Sequence, residues 1–403
     1  MNAPTDAFLH DKLQALQAQA DEFIAVRRDI HQHPEMGYKE YRTSDLVAEQ
    51  LSAWGYQVTR GLGGTGVVGQ IKKGSGSKSI GIRADMDALP IDEATGLPYA
   101  SCNVGIMHAC GHDGHTAMLL AAAKHIAQKA AFSGTVNLIF QPAEEGLGGA
   151  KKMMEDGLFT QFPCDAVFGM HNMPGHPQGQ LVFRDGSAMA SSDNVTITIE
   201  GTGGHGAVPH RAADPVVAGS AIVMGLQSIV ARNIDPQEMA IITVGAFNAG
   251  VANNVIPQHA TLKLSVRSLN REVRILLEQR ITELVNAQAT SYGVKAHIDY
   301  QRGYPVLVNH LRETDFARDV GEELVGAANV TRQGRALTGS EDFAFMLEEV
   351  PGCYLLIGNG DGSGDGHGAC MVHNPGYDFN DQNVAVGSAY WSLLVERFLP
   401  AQG

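Results

Sequence analysis

Four short stretches of the sequence combine side chains that could hold metal ions and transfer protons. The first is the segment 108–115, HACGHDGH, where a cysteine and three histidines stand among glycines. Cysteine thiolates and histidine imidazoles are preferred ligands of zinc-like ions, and glycine lets the backbone approach a metal closely. Two alternatives stay open at this point: a Cys–His nucleophile pair, which lacks an accompanying oxyanion-loop signature, and a packed loop with ordinary polar histidines.

The second stretch is a pair of adjacent carboxylates, Glu144 and Glu145, in the segment 140–146, FQPAEEG. It follows a strongly apolar run, so the pair is expected at the carboxyl end of a strand, where open α/β sheets bind ligands. One carboxylate could bind a metal while the other takes a proton from water. A solvated acidic turn is the alternative.

The third and fourth stretches each contribute a histidine, His171 after another apolar run and His373 near the C-terminus. Either histidine alone is typical of a capped or surface position. Together the four stretches offer one thiolate, one carboxylate and three imidazoles. Five ligands are too many for one closed tetrahedral site, and they suit two ions that share a water and leave positions open for substrate.

Alternating strands and helices are predicted to carry these stretches. An amphipathic helix with Leu9, Leu13, Leu16, Phe23 and Ile30 at helical spacing ends at Pro34. Further helices are predicted at 43–54, 115–129, 149–154, 311–325, 340–348 and 382–398. Strands are predicted at 66–71, 79–84, 135–140, 166–170 and 353–358. This alternation predicts an α/β fold with buried strands.

The middle of the chain has a different rhythm. Strands at 195–200, 240–247, 259–267 and 294–300, with helices at 214–231 and 271–288, give the order βαββαβ of a ferredoxin-like unit. Residues 190–296 hold eight basic and eight acidic residues, whereas the whole chain has a net charge of −14. We therefore predict an inserted domain over 188–296 and a catalytic domain formed by 1–187 and 297–403.

Composition excludes several partners. With 43 acidic and 29 basic residues among 403, the chain repels phosphate backbones, which argues against nucleic acid. The longest unbroken apolar run, 117–123, is too short to span a membrane. Five cysteines and no visible secretory signal predict a reducing compartment and a cytoplasmic protein. The Gly/Asp-rich segment 358–368 is expected to be a surface loop.

The motifs, in their order, resemble a known family. They are RADMDALP (83–90), HACGHDGH (108–115), QPAEEG (141–146), HN (171–172), GGHGAVPH (203–210), NNVIP (253–257), TGSEDFAF (338–345) and VHNPGYDF (372–379). Their combination resembles the aminoacylase/carboxypeptidase family of di-metal amidohydrolases in the metallopeptidase superfamily. It is most similar to the branch of hippurate hydrolases, N-acyl-L-amino-acid amidohydrolases and auxin–amino-acid conjugate hydrolases. The resemblance implies a zinc-peptidase-like catalytic domain, with a mixed central sheet flanked by helices, and an inserted lid or dimerisation domain.

The resemblance also implies roles for individual residues of the catalytic domain. The implied metal ligands are Cys110, His112, Glu145, His171 and His373. Glu144 matches the general base, and Asp87 matches an aspartate that orients a ligand. Where the wider family has a histidine ligand this chain has Asp85, which we do not expect to bind metal. Four other histidines, His31, His108, His115 and His210, are expected to be structural or to support the ligands.

In the inserted domain, His205 matches a histidine that reaches the active site of a neighbouring subunit and stabilises the oxyanion. Asn254 and Arg267 match residues that hold the carbonyl and the carboxylate of the substrate. Each has an ordinary alternative: His205 at a loop tip, Asn254 in a turn, and Arg267 paired with a surface carboxylate.

The function so implied is metal-dependent hydrolysis of the amide bond of N-acyl or N-aroyl amino acids such as hippurate. Two divalent ions per chain (Zn, Mn, Co or Ni) and a homodimer or homotetramer through the lid domain are expected, with neither nucleic acid nor membrane as partner. The alternatives are a di-metal dipeptidase or aminopeptidase, and an inactive relative that only binds ligands. The sequence leaves the acyl group and the amino acid open.

Overall fold

The chain forms two compact units. The structure is a computed structural model that describes residues 13–363, 366 and 368–401. The first unit combines Met1–Gly186, Asn309–Arg335 and Phe345–Gly403, and the second combines Ser187–Val308 and Ala336–Ala344. Each unit has its own cluster of buried apolar side chains. Leu9, which was predicted to lie in the first helix, is outside the described residues.

A mixed eight-stranded sheet forms the centre of the first unit. In spatial order its strands are Gln57–Leu62, Gly66–Lys73, Gly134–Gln141, Ser79–Asp85, Ala166–Met173, Gly352–Gly358, Leu181–Val182 and Val330–Thr331. Four neighbouring strands of its centre run parallel, from Gly134–Gln141 to Gly352–Gly358. Their side chains are almost all buried, as expected for strands covered on both faces.

Helices pack around this sheet. They are Ala20–Gln32, Tyr41–Ala53, His112–Gln128, Glu144–Leu147, Gly149–Glu155, Leu158–Gln161, Leu311–Val325, Phe343–Glu349 and Asn383–Phe398, with a 3-10 turn at Ala327–Asn329. The last residues of unit two overlap the start of Phe343–Glu349. Helix His112–Gln128 packs against Ala20–Gln32 and Asn383–Phe398, and nearly all of its residues are buried. This enclosed helix gives the metal-binding motif at its start a rigid support.

The second unit is built on a four-stranded antiparallel sheet. Its strands, in spatial order, are Ala240–Ala249, His259–Ser268, Asp193–Glu200 and Lys295–Arg302. Helices Pro215–Asn233 and Arg271–Ser291 pack on the sheet, and their chain order reproduces the predicted βαββαβ arrangement. A short ladder pairs Gly204–His205 with Val255–Ile256, next to the 3-10 turn Pro209–Arg211. The short strands Gly186–Met189 and Leu307–Asn309 lie where the chain passes between units.

The end of the second unit differs from the sequence-based boundary. The prediction placed residue 297 in the catalytic part, but it lies inside strand Lys295–Arg302, which pairs along its length with Asp193–Glu200. The unit therefore continues to Val308. The assignment of the two parts as a catalytic domain and a lid or dimerisation domain stays a prediction.

One described helix, Pro215–Asn233, is long and apolar enough to cross a membrane by length and composition alone. Four of its apolar residues, Ala218, Ile222, Leu226 and Ile229, are buried in the core of the second unit. The core helix of a soluble protein passes the same test of length and composition, so this feature is weak evidence for a membrane segment.

Candidate functional site

The loop before helix His112–Gln128 positions the first two predicted ligands, Cys110 and His112. Both side chains are buried. Gly111 between them has φ +87°, and a Cβ there would lie 2.3 Å from Asn172 Nδ2 and 2.5 Å from Tyr377 Oη. Glycine is therefore the residue that fits, because it tolerates this φ and leaves room for the neighbouring polar groups.

The predicted carboxylates lie in a tight turn after strand Gly134–Gln141. Ala143 has φ +55°, a left-handed conformation that is uncommon outside glycine and turns the chain before Glu144. Asp87 contacts both sides of the site, because its Oδ2 accepts the Glu145 backbone N–H at 2.9 Å and its Oδ1 lies 3.1 Å from His112 Nδ1. Asp87 therefore contacts His112 on the nitrogen opposite Nε2, and its role in orienting a ligand stays a prediction.

The two remaining predicted ligands lie far apart in the sequence. His171 lies near the end of strand Ala166–Met173, and its Nδ1 donates to the Asn172 carbonyl at 2.5 Å, which directs Nε2 towards Cys110 Sγ at 3.3 Å. His373 has φ +67°, and its backbone N–H donates to the Ala109 carbonyl at 2.7 Å. Its Nε2 lies 3.3 Å from Glu145 Oε1.

The structure brings all five predicted ligands and Glu144 together in the first unit. Their ligating atoms form overlapping groups in which all atoms lie within 4.8 Å of one another. The groups are Cys110 with His112 and His171, Cys110 with Glu145 and His373, and His112 with Glu144 and Glu145. Groups that share members are the arrangement expected for two neighbouring ions.

The donor set fits divalent metal ions. Within the described residues, His112 Nε2 and Glu145 Oε1 are buried and make no hydrogen bond, which is costly unless a cation satisfies them. Asp87 on the opposite nitrogen of His112 gives the carboxylate–histidine pairing that is common behind metal ligands.

The electrostatics of the cluster also favour a cation. Burial lowers the pKa of His112, but Asp85 and Asp87 outweigh it and raise that pKa to about 10. Burial, together with Glu145 and Glu144, raises the pKa of the Cys110 thiol well above its usual value. The cluster therefore carries an excess of negative charge, and a bound cation would favour the thiolate.

The Asp85 carboxylate is hydrogen-bonded to two side chains, Arg83 and His115. Its Oδ2 accepts from Arg83 Nη1 at 2.6 Å and its Oδ1 accepts from His115 Nδ1 at 2.6 Å. Its ligating atoms do lie close to those of His112 and His115, so position alone would allow it to bind. Burial opposes its charge, but Arg83, His112 and His115 hold the pKa of Asp85 well below its usual range. The carboxylate is thus a charged support of the cluster.

The other three predicted site residues lie in the second unit. His205 and Asn254 meet at the short ladder, where the Gly206 N–H donates to the Asn254 carbonyl at 2.8 Å, and both residues are exposed. His205 Nδ1 accepts from the Ala207 N–H at 3.0 Å, so Nε2 carries the proton of the neutral ring. Arg267 donates to the Thr338 carbonyl at 3.0 Å, rather than to a surface carboxylate as the ordinary alternative had it. Their roles stay predictions.

Sequence reasoning missed several polar residues that support the ligands. Asn172 and Tyr377 are fully buried and contact the ligand loop, and Glu40 binds the turn that carries the carboxylates. Arg27 is fully buried, and its three side-chain nitrogens contact three aspartates. The available signal was the placement of Asn172 and Tyr377 inside the quoted motifs, next to ligands.

Comparisons with known proteins show the family of the chain. The model of the peptidase family M20/M25/M40 matches residues 81–397. The chain is 46% identical to a hippurate hydrolase of Campylobacter jejuni, over 94% of this chain and 97% of that protein. It is 39% identical to an N-acetyl-L-cysteine deacetylase of Bacillus subtilis, over 94% and 88% of the two chains.

A solved structure of a Bacillus subtilis protein, described as a dinuclear metal binding peptidase from the M20 family, is also similar. It superposes with a TM-score of 0.81 at 32% identity and covers 96% of this chain and 100% of its own. The predicted α/β fold with a mixed central sheet and the predicted family are confirmed. The chain belongs to the peptidase family M20/M25/M40.

Proposed function

We propose that this protein hydrolyses the amide bond of N-acyl or N-aroyl amino acids, hippurate among them, and releases a carboxylic acid and a free amino acid. The observation that carries the proposal is the convergence of one thiolate, three imidazoles and two carboxylates in overlapping groups in the first unit. The names of the two relatives, a hippurate hydrolase and an N-acetyl-L-cysteine deacetylase, support the same substrate class.

Five residues hold the metal ions in this proposal: Cys110, His112, Glu145, His171 and His373. Two divalent cations bound by them supply the Lewis acidity that polarises an amide carbonyl and makes a water acidic. The description of the similar structure as dinuclear supports two ions. One thiolate and three imidazoles favour Zn, Mn, Co or Ni over Mg or Ca.

Glu144 handles the protons. It accepts a proton from the attacking water as the new C–O bond forms, and it donates that proton to the amide nitrogen as the C–N bond breaks. Glu144 is buried in the turn after strand Gly134–Gln141, and its neighbour Glu145 is fixed through Asp87. A base on such a turn keeps its orientation during the reaction.

The residues of the second unit bind the substrate. His205 donates from Nε2 to the oxyanion in the active site of a partner subunit, a contribution of about 3–4 kcal/mol per donor in other enzymes. Asn254, which neighbours His205 across the short ladder, holds the substrate carbonyl. Arg267 holds the free carboxylate of the amino-acid half, because guanidinium matches carboxylate geometry.

A role for His205 in a partner subunit requires an oligomer, and we propose a homodimer or homotetramer through the second unit. Strand Ala240–Ala249 is an edge strand of ten residues. Exposed apolar side chains lie within this strand, just after it, and on the neighbouring helix Pro215–Asn233. They include Val217, Met224, Phe247 and Val251. Such an edge and patch are typical of an interface. Met224→Lys is expected to shift the mass measured by analytical ultracentrifugation towards the monomer.

The cysteines support a cytoplasmic location, which we also propose. All five are free thiols, and Cys110 is required in reduced form as a ligand. Disulfides are rare in reducing compartments, so free and partly accessible thiols are typical of proteins located there.

A panel assay on metal-analysed protein tests the proposed function. Wild type and Glu144→Gln are compared on benzoyl-glycine, on acetyl-, lauroyl- and indoleacetyl-amino acids, and on free dipeptides. We expect cleavage of at least one acyl class, loss of activity with chelator, and a Gln variant that retains metal but loses its rate. Cleavage of dipeptides alone would instead establish a dipeptidase. Two bound metals without any cleavage would favour a binding protein.

A further inference from the structure

A buried chain of hydrogen bonds connects the segments that carry the metal ligands, and Asn172 lies at its centre. Tyr377 Oη donates to Asn172 Oδ1 at 2.5 Å. Asn172 Nδ2 donates to the Cys110 carbonyl at 2.7 Å and lies 3.0 Å from His115 Nε2. Asn172 and Tyr377 are fully buried.

The chain continues to the central sheet. The Asn172 backbone N–H also donates to His115 Nε2 at 3.0 Å, and His115 Nδ1 donates to Asp85 at 2.6 Å. The hydrogen on His115 is assigned to Nδ1 because the Asp85 carboxylate only accepts. Arg83 closes the chain by donating to the other oxygen of Asp85 at 2.6 Å. Each donor in this series therefore meets an acceptor.

Three members of the chain lie close in sequence to a predicted ligand. Asn172 follows His171 directly, His115 lies one helical turn after His112, and Tyr377 is four residues after His373. The carbonyl that Asn172 binds belongs to Cys110 itself, and it orients the peptide plane before Gly111. Fixing that plane restrains the backbone torsion ψ of Cys110 and hence the direction of its Cα–Cβ bond.

We propose that Asn172 is a positioning residue, which together with Tyr377 sets the placement of Cys110 relative to His171 for metal binding. The inference rests on the proposed di-metal function. The inference goes beyond that function because it gives a role to two residues that do not bind metal and are not expected to touch substrate.

Packing makes the Tyr377 hydroxyl hard to replace. An added Cβ on Gly111 would lie 2.5 Å from that hydroxyl and 2.3 Å from Asn172 Nδ2, so the space around them is filled. A water would need room that this packing does not offer. Removal of the hydroxyl therefore leaves Asn172 Oδ1 buried without its donor, and the amide is free to turn away from Cys110.

The test compares two substitutions that each remove one buried hydroxyl. Tyr377→Phe removes the donor to Asn172, and Tyr390→Phe removes the hydroxyl that donates to the Ala317 carbonyl at 2.9 Å. Both tyrosines are fully buried, and each variant loses one buried hydrogen bond. Similar losses of thermal stability are therefore expected in the metal-free variants.

The readouts are metal affinity, by chelator competition with Zn²⁺ and Co²⁺, and the visible absorption of the Co²⁺-loaded protein. We expect Tyr377→Phe to lower the affinity by about 10–100-fold, as is typical of partners behind metal ligands, and to change the Co²⁺ absorption. Tyr390→Phe is expected to leave both unchanged. A merely structural role of Tyr377 would give the two variants the same metal affinity.

Asn172→Asp is the second variant. It keeps an acceptor for Tyr377 but replaces the donor to the Cys110 carbonyl with an oxygen, so a larger loss of affinity is expected. The proposal is overturned if either folded variant binds both ions with wild-type affinity and an unchanged Co²⁺ spectrum. Failure of the proposed function is distinguishable, because it is measured by the cleavage assay on the wild-type protein, whereas this proposal is measured by the metal affinity and the Co²⁺ spectrum of the variants.

Discussion

Glu40 is a buried carboxyl that makes the stability of the first unit depend on pH. Its Oε1 accepts the Ala143 N–H at 2.8 Å and its Oε2 accepts from Thr65 Oγ1 at 2.5 Å. Burial, with a smaller effect of Asp87, outweighs these hydrogen bonds and raises the pKa of Glu40 to about 7. The folded protein therefore keeps a proton at Glu40 at a pH where the unfolded chain has lost it.

The sign of the effect follows from proton counting. Between the usual pKa of glutamate and pH 7 the folded state binds more protons than the unfolded state, so the free energy of unfolding falls as pH rises. The rise of the pKa from 4.5 to about 7 corresponds to about 3 kcal/mol. This cost is absent at low pH and complete above about pH 7.

Glu40→Gln removes the cost. The glutamine oxygen accepts the Ala143 N–H, and its amide donates to Thr65 Oγ1, so both contacts survive. We expect the variant to gain up to about 3 kcal/mol relative to wild type between pH 5 and pH 8. Urea unfolding of metal-free protein, followed by tryptophan fluorescence, measures this gain, because Trp54 and Trp391 both lie in the first unit.

The matched control is Glu349→Gln, which changes an exposed glutamate of the same unit. The difference in free energy of unfolding between this variant and wild type is expected to be the same at pH 5 and at pH 8. If Glu40→Gln also kept a constant difference from wild type between pH 5 and pH 8, the argument from burial would be wrong.

Three further changes act on the metal cluster and its support. Cys110→Ser replaces a thiolate shared by two ligand groups, and chelator competition should show a loss above the ~10–100-fold typical of outer partners. Gly111→Ala forces a Cβ into φ +87° against Asn172, which should cost at least about 1–3 kcal/mol in urea unfolding. Arg27→Met removes the guanidinium partner of the buried Asp113 carboxylate at 2.8 Å and leaves His31 Nδ1, also at 2.8 Å. A loss of up to about 3–5 kcal/mol is expected in urea unfolding. Unchanged unfolding midpoints of Gly111→Ala and Arg27→Met would contradict these two estimates.

Much of the fold was accessible from the sequence where apolar patterning is strong. Helix Leu311–Val325 has the predicted bounds, and the central strands were found because they are continuous apolar runs. Strand Gln57–Leu62 was missed because it is an edge strand with an irregular, largely exposed pattern. Two-residue strands such as Leu181–Val182 depend on tertiary pairing, which no local pattern records.

The cluster of candidate metal ligands could be predicted for a different reason. Metal ligands are chosen by side-chain chemistry, so Cys110, His171 and His373 stand out as residue types in glycine-rich or strand-end positions. Their supports do not stand out, because an asparagine or tyrosine is common anywhere in a chain. The predicted start of helix His112–Gln128 was three residues too late for a related reason. Glycine and histidine are weak helix formers, so the first turn of this helix is not visible in the sequence pattern. Contacts with Asn172 and Asp87 hold its histidines in place.

Residues with a strained backbone conformation lie in segments that hydrogen bonds fix in place. Among the described residues, the non-glycine positions with positive φ are Tyr38, Ala143 and His373. Each is tied down: Ala143 by Glu40, His373 by the Ala109 carbonyl, and Tyr38 by a hydroxyl bond to the Leu147 carbonyl at 3.0 Å. Such conformations cost about 1–3 kcal/mol each and persist only where the surroundings determine them.

The free-energy cost of this strain can be compared with the free energy of metal binding. A ligand cluster that already has its bound geometry loses little conformational entropy when the ions enter, whereas a flexible one must be ordered at that step. The strain at Ala143 and His373 is small beside the about 10–16 kcal/mol with which structural zinc binds in small peptides. The Ala143 N–H donates to Glu40 and the His373 N–H donates to the Ala109 carbonyl, so the folded chain itself holds the Glu144 turn and His373 in place. We therefore expect the chain to fold first and to bind metal second.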